Sequence, residues 1–381
     1  MQSSLRALDS NELTQALQMH RDFWDINKVA PPLIEVAYAP PDVYNTPPIR
    51  GIRFPGDGQL IHPDMLDPQQ YWAHFDSSAL PVQGNLVQVA APLGIPWMAA
   101  MVGCPLYCKR SDEDLWFMGD IWAEPIVRSS QEILDKLSFP PENAWYRALL
   151  DFHRFMVAKV EGRYELTTTL LRGPSDMLGQ LLGDERMAME LIDHPEETRQ
   201  ALRLLTDIWI QVNKDVISLI PKLAGGTVNS WGIWAPGVTA RTQEDHAMIL
   251  SPRMYKQSIG PCNEQMGAAF DYLLMHRHSG PMITTLGRLE ALLEVESVRG
   301  VQVTRDINSP PLERLIEIYG LIQKKKPVLI WGGFTRDEVR RILDSLEHRG
   351  LCIKARAESW TEYHRMIQWL EKEGYAGFGS A

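Results

Sequence analysis

The sequence predicts an α/β fold, a single (β/α)8 barrel preceded by a helical extension. Short apolar runs bounded by turn formers alternate with stretches of helical period, and eight such runs are counted, which is the pattern of a barrel of parallel strands. The chain of 381 residues, with 45% hydrophobic and 23% charged residues, is long and apolar enough to bury one sizeable core.

Residues 1–30 form the extension: MQSSLRALDSNELTQALQMHRDFWD reads as an amphipathic helix with charges throughout, without the apolar centre of a signal peptide. The barrel then occupies 31–381. Its strands are expected at 33–38, 86–91, 164–171, 225–231, 271–277, 300–305, 327–331 and 351–357. Between the first two lies a Pro-, Gly- and Asp-rich stretch, Asp42 to Gln70, without periodicity, read as an excursion over one end of the fold. The third run ends at Arg172-Gly173-Pro174, with Asp176 near the start of the next helix, where a capping carboxylate is favoured. Further helices are expected at 145–160, 185–191, 195–219, 246–265, 286–296, 311–323, 335–348 and 360–372. Ser251-Pro252 and Thr335 with Glu338 supply helix-start chemistry.

A net charge of −10 argues against a nucleic-acid partner, because phosphate binding needs clustered Lys and Arg. Lys324-Lys325-Lys326 reads as a solvated turn. No run approaches the roughly 18 apolar residues of a membrane span. Four cysteines, Cys104, Cys108, Cys262 and Cys352, are too scattered for a disulfide framework and are read as reduced. A cytoplasmic enzyme is the expectation.

In a barrel the active site lies at the carboxyl ends of the strands, so those ends name the candidates. The fifth run closes on HRHSG, and residues two apart on a strand share a face, so His276 and His278 point together and can hold one metal ion or one substrate. His-x-His is also met as a pair of strand-capping histidines until a third ligand is named. The other ends offer Tyr38, Arg172, Asn229, Trp231, Arg305, Asp306, Trp331, Arg356 and Glu358. Arg172, Asn229, Trp231, Arg305, Trp331 and Arg356 are the candidate substrate-binding residues, suited to a planar or anionic molecule. Arg305 with Asp306, and Arg356 with Glu358, read equally well as ion pairs along the rim.

Three ordered blocks, Gly173 to Leu202, Glu244 to Tyr255 and His276 to Pro281, resemble the uroporphyrinogen decarboxylase superfamily, with a likeness running from about Trp97 to the C-terminus. That superfamily holds porphyrinogen decarboxylases and zinc-dependent methyltransferases that move methyl groups between corrinoid proteins and thiols. The decarboxylases' Met-Arg-Gln-Ala-Gly-Arg segment is missing from YAPPDVYNTPPIRGIRF, and their second-strand aspartate from VAAPLG, so the resemblance is closer to the methyltransferase branch. Those enzymes carry His-x-Cys-Gly after strand five and a second cysteine near strand eight. His276 matches their histidine and His278 stands at the cysteine, while ARAESW has no cysteine and Cys352 falls below the rim.

The resemblance therefore implies methyl transfer between a corrinoid and a small acceptor, with a divergent or absent zinc site. His276, His278 and Asp245 are the candidate catalytic residues, and His276, His278 and Glu358 the candidate metal ligands. A small-molecule substrate, a corrinoid protein and a second copy of the chain are the expected partners. The alternatives are a metal-free decarboxylase or lyase of a small carboxylated aromatic, and a non-catalytic corrinoid- or tetrapyrrole-binding subunit.

Overall fold

A computed structural model describes residues 10–38, 58–77, 81–108, 121–139, 141–160, 162–375 and 377. Its strands are β1 (Leu33–Tyr38), β2 (Leu60–Ile61), β3 (Val82–Gly84), β4 (Val89–Ala90), β5 (Leu106–Cys108), β6 (Ile121–Ala123), β7 (Glu165–Leu166), β8 (Thr227–Val228), β9 (Trp234–Ala235), β10 (Thr239–Gln243), β11 (Tyr272–His278), β12 (Val298–Thr304), β13 (Val328–Gly333) and β14 (Leu351–Ala357). The main sheet runs β10-β11-β12-β13-β14-β1-β3, parallel except for the edge strand β3. The short strands β4 and β7 form a parallel pair of their own. Hydrogen bonds from the chain flanking that pair reach the main sheet: Asn85 N–H donates to Ile34 O at 3.0 Å, and Gly173 N–H to Gln243 O at 2.8 Å.

The two faces of the sheet differ because residues alternate along each strand. Ile34 and Val36, Leu273 and Met275, Val301 and Val303, Val328 and Ile330, and Leu351 and Ile353 lie on the face that packs against helices Leu312–Gln323, Arg336–Ser345 and Trp360–Lys372. Such runs are apolar on the helix side because that side is dry. The opposite face begins with a second apolar cluster of Leu33, Leu274, Leu329 and Cys352. Phe23 and Trp24, at the end of helix Ser10–Phe23, cover it from below, and the Trp24 indole donates to Trp234 O at 2.9 Å.

Five of the expected strands lie where their apolar runs place them, at β1 and β11 to β14. The expected strand at 225–231 is instead the first arm of an antiparallel hairpin, β8 with β9, turned at Gly232, whose φ of 84° is left-handed. The parallel neighbour of β11 is β10, a run of alternating polar and small residues (TARTQ) that apolar patterning passes over. Lys326 is no solvated turn residue: it is buried and its ammonium donates to Val295 O at 2.8 Å and Val298 O at 2.6 Å. The Ser251 and Thr335 helix starts are present, Thr335 in a capping box with Glu338. All four cysteines are buried, and no disulfide joins any two of them. Among the described residues no helix is long and apolar enough to cross a membrane.

Candidate functional site

Polarity rises along the face of the sheet that carries the second apolar cluster. In the register of the strands, Gln302 and His276 stand level with Leu33, Cys352 and Leu329, and Thr304 and His278 one step above, level with Glu35, Lys354 and Trp331, with Arg356 beyond Lys354 on β14. Glu35 is 2% exposed and is held by Lys354 Nζ at 2.8 Å and Gln88 Nε2 at 3.0 Å, so the buried charge has partners. A dry floor thus gives way to ionisable groups at the carboxyl ends of β11, β12 and β14.

The two histidines face each other through their outer nitrogens, Nε2 to Nε2 at 3.3 Å, with their rings 4.7 Å apart at 85°. Each inner nitrogen is pinned by an acceptor. His276 Nδ1 meets Gln302 Oε1, an orientation fixed because the Gln302 amide N–H donates to Thr304 Oγ1 at 3.0 Å. His276 Nδ1 therefore carries its proton, and its Nε2 lone pair is exposed to the site. His278 Nδ1 lies 2.9 Å from Asp306 Oδ1, and the other Asp306 oxygen accepts from Ser279 N at 2.9 Å and Ser279 Oγ at 3.1 Å.

Burial, and then the nearby Arg241 and His278 charges, hold His276 well below its ordinary value, which keeps it neutral. The bond to Asp306 moves His278 the other way, above its ordinary value, against the opposing effect of burial. Two lone pairs at this separation repel unless a proton or a metal cation lies between them.

The third member of the group is Asp245. Its Oδ2 is 3.7 Å from His278 Nε2 and accepts from the Gln243 carboxamide, while Oδ1 has no hydrogen-bond partner among the described residues. One donor atom from each of Asp245, His276 and His278 lies within 4.8 Å of the others. Two imidazoles with acceptor-bound inner nitrogens and one carboxylate suit a divalent metal, and three protein ligands leave a position open for a reactant.

Asp245 is held by its neighbours. Glu244 Oε2 accepts from Ser175 N at 2.8 Å, and Asp176 Oδ1 from His246 N at 2.9 Å, so residues 244–246 are bound to the first turn of helix Pro174–Leu182. Asp176 therefore serves the neighbouring loop, and its own helix starts at Gly173 without a side-chain cap. Arg277, on the helix side of β11, donates to Glu244 O at 3.2 Å and to the Tyr255 hydroxyl at 2.6 Å. Burial, reinforced by the Asp176 charge, pushes the Glu244 carboxyl up to about 8. Asp245 is raised for the same two reasons.

The expected site residues divide accordingly. Glu358 is exposed and is not among the ligand atoms grouped with the histidines; its Oε1 lies over β13, 3.2 Å from where a Cβ on Gly333 would stand. Arg305 also leaves the site. Being one residue out of phase with Gln302 and Thr304, it pairs with Glu338 at 2.8 Å and Gly333 O at 2.9 Å, while Asp306 pairs with His278. Arg356 is 8% exposed with its guanidinium 5.9 Å from the Trp331 ring.

Trp331 lies 5.2 Å from Trp231, whose ring is nearly parallel to His276 at 6.1 Å. Asn229 is 2% exposed, and its Oδ1 accepts from Trp231 N at 2.9 Å and Ile233 N at 3.2 Å, shaping the hairpin turn. Arg172 is half-buried and its charge acts on Arg241 and Asp245. Arg241 and Gln302 are the residues that strand-end reading leaves out of the site, while Asp306, offered there as a partner of Arg305, is bound to His278 instead. Alternation within TARTQ places Arg241 and Gln243 on one face, the signal that points to the first of them.

No family model matches the chain, and the search of curated proteins gave no match. Among solved structures the chain is similar to a methyltransferase from Methanosarcina mazei, at 12% identity and a TM-score of 0.58, over 98% of this chain and 100% of that one. At that identity the likeness is one of fold: the two chains share their α/β architecture from end to end.

Proposed function

We propose that this chain is a methyltransferase-like enzyme that moves a methyl group between a corrinoid, carried by a partner protein, and a small acceptor, and that His276, His278 and Asp245 hold a divalent metal, zinc by preference. The observation that carries the reading is the facing pair of Nε2 atoms at 3.3 Å, each ring fixed from behind, with Asp245 beside them. The three sequence blocks that resemble the uroporphyrinogen decarboxylase superfamily and the fold likeness to a methyltransferase support it. We further propose that β1, β4, β7 and β10 to β14 close into the eight-stranded barrel, with the bonds from Asn85 and Gly173 marking the joins.

A metal in this site supplies a Lewis acid that favours the deprotonated form of an acceptor. Gln302 and Asp306 keep both imidazoles in the tautomer that presents Nε2, and Ser279 in turn fixes Asp306. The contacts of Glu244 and Asp176 fix the loop that presents Asp245. Cysteine ligands are replaced here by imidazole and carboxylate, a harder donor set, so acceptors with oxygen or nitrogen belong in the screen beside thiols.

The test is transfer from methylcobalamin, followed by its absorbance, to a panel of thiols, alcohols and amines with zinc present. Wild type is expected to demethylate the cobalamin with at least one acceptor, and His276→Ala or Asp245→Asn to slow it about 100-fold. Transfer indifferent to both substitutions would overturn the reading. The guanidinium groups of Arg172, Arg241 and Arg356 favour one second reading, decarboxylation of a small aromatic acid, which release of carbon dioxide by metal-free protein would identify.

A further inference from the structure

Below the sheet, beside Trp24, a groove of about 410 Å³ runs between the end of helix Ser10–Phe23 and the amino ends of β11, β12 and β13. It lies at the end of the strands opposite to His276 and His278. Arg21, Arg299, Lys325 and Lys326 line it, against the two acids Asp25 and Glu296. None of the four cations forms an ion pair among the described residues: Arg21 donates to Gln18 Oε1 at 3.3 Å, and Arg299 lies 5.7 Å from the centre of the Tyr272 ring. Lys326 is the buried member of the set. It is 6% exposed, and two of its three ammonium protons go to Val295 O and Val298 O, which leaves one donor. Burial, and then the Arg299 charge, lower this ammonium to about 8, while Glu264 and Glu296 pull the other way without a hydrogen bond to it. A buried cation crowded by others of its sign is costly unless a negative charge comes to it.

We propose that this groove binds a small phosphate-bearing molecule, its phosphoryl oxygens taken by Lys326, Arg299 and Lys325 and the rest of it lying along Trp24 and Tyr272. Four cations against two acids leave an excess of two positive charges, close to what a phosphate monoester offsets at neutral pH. Three terminal oxygens serve a guanidinium on β12 and two ammonium groups before β13 at once, which a carboxylate with two does not. The groove has the size of a small-molecule site, and its apolar wall is made by the Trp24 and Tyr272 rings, 4.9 Å apart. A ligand seated there fastens the end of the first helix to three strands of the sheet. The inference is independent of the proposed function, because no residue of the histidine site takes part.

The test is calorimetric titration of full-length protein, in buffer free of phosphate, with AMP, with inorganic phosphate and with adenosine as the uncharged control. Wild type is expected to bind AMP about 10-fold more tightly than adenosine, the scale of a hydrogen bond between charged groups, and to gain in Tm as AMP is added. Inorganic phosphate binding as tightly as AMP marks the free anion as the ligand and weaker binding marks an ester; either upholds the inference. Arg299→Gln, at an exposed side chain, is expected to weaken AMP binding about 10-fold, and Lys326→Met to weaken it further. AMP affinity no greater than that of adenosine, or unchanged in Arg299→Gln, would overturn the inference. So would affinity lost in Arg241→Gln, which would place the anion at the other end of the strands. Should Lys326→Met fail to fold, Arg299→Gln and Lys325→Gln decide it.

Discussion

His276 and His278 share one strand face yet differ in what holds the inner nitrogen, an uncharged amide for one and a carboxylate for the other. Partners of this kind orient metal-bound imidazoles, and their loss typically costs 10- to 100-fold in metal affinity. Asp306→Asn is expected to weaken zinc binding by about that factor, measured by competition with a chromophoric chelator, while thermal stability changes little; unchanged affinity would remove Asp306 from the account. The histidine pair was legible in the sequence because a two-residue period needs nothing beyond the strand. The third candidate ligand was not: Glu358 follows a strand of the right phase but lies over Gly333, and Asp245 comes into place only through contacts with residues some 70 positions earlier.

Glu244 makes a second residue-scale prediction. Its carboxyl titrates near 4.5 when unperturbed and at about 8 in the fold, so the folded state binds the proton more tightly. The stability this group contributes is present below about pH 4.5 and is lost as pH rises toward 8. Glu244→Gln, which keeps the shape and cannot ionise, is expected to gain in Tm relative to wild type as pH rises from 5 to 8, and a constant difference across that range would contradict a protonated Glu244.

Among the elements, the five strands placed by sequence are those with Val, Ile and Leu on the helix side, a dry environment that leaves its mark on composition. β10 escaped because its site side carries Arg241 and Gln243 and its helix side only Ala240 and Thr242. Function displaced the pattern by which strands are found. The approach of Gly173 to the end of β10 is equally exacting. A Cβ at Gly173 would stand 2.0 Å from Glu244 Oε1 and 2.6 Å from Thr242 Oγ1, and Glu244 cannot retreat without giving up its bond to Ser175. Gly173→Ala is expected to cost about 1–3 kcal/mol in chemical denaturation, and wild-type stability in that variant would show the loop to be looser than described.

For the whole molecule, the sheet is closed below by an apolar plug and opens above into charge. Helix Ser10–Phe23 is part of that plug, as Phe23 and Trp24 pack on Leu33, Leu274, Leu329 and Cys352. Trp24 is 8% exposed, and Trp24→Ala is expected to lower stability by about 3–5 kcal/mol without altering metal affinity, because the plug and the site lie at opposite ends of the strands. The extension was legible as an amphipathic helix, while its role in covering the sheet required the fold.

The most direct measurement is elemental analysis of protein purified without chelator and then dialysed against zinc, on wild type and on the variant with His276→Ala and His278→Ala together. The account predicts close to one zinc per chain in wild type, lost in the double variant, with Glu358→Gln retaining it and Asp245→Asn losing most of it. Wild-type protein that takes up no metal under these conditions, or a double variant that binds as much as wild type, would contradict it.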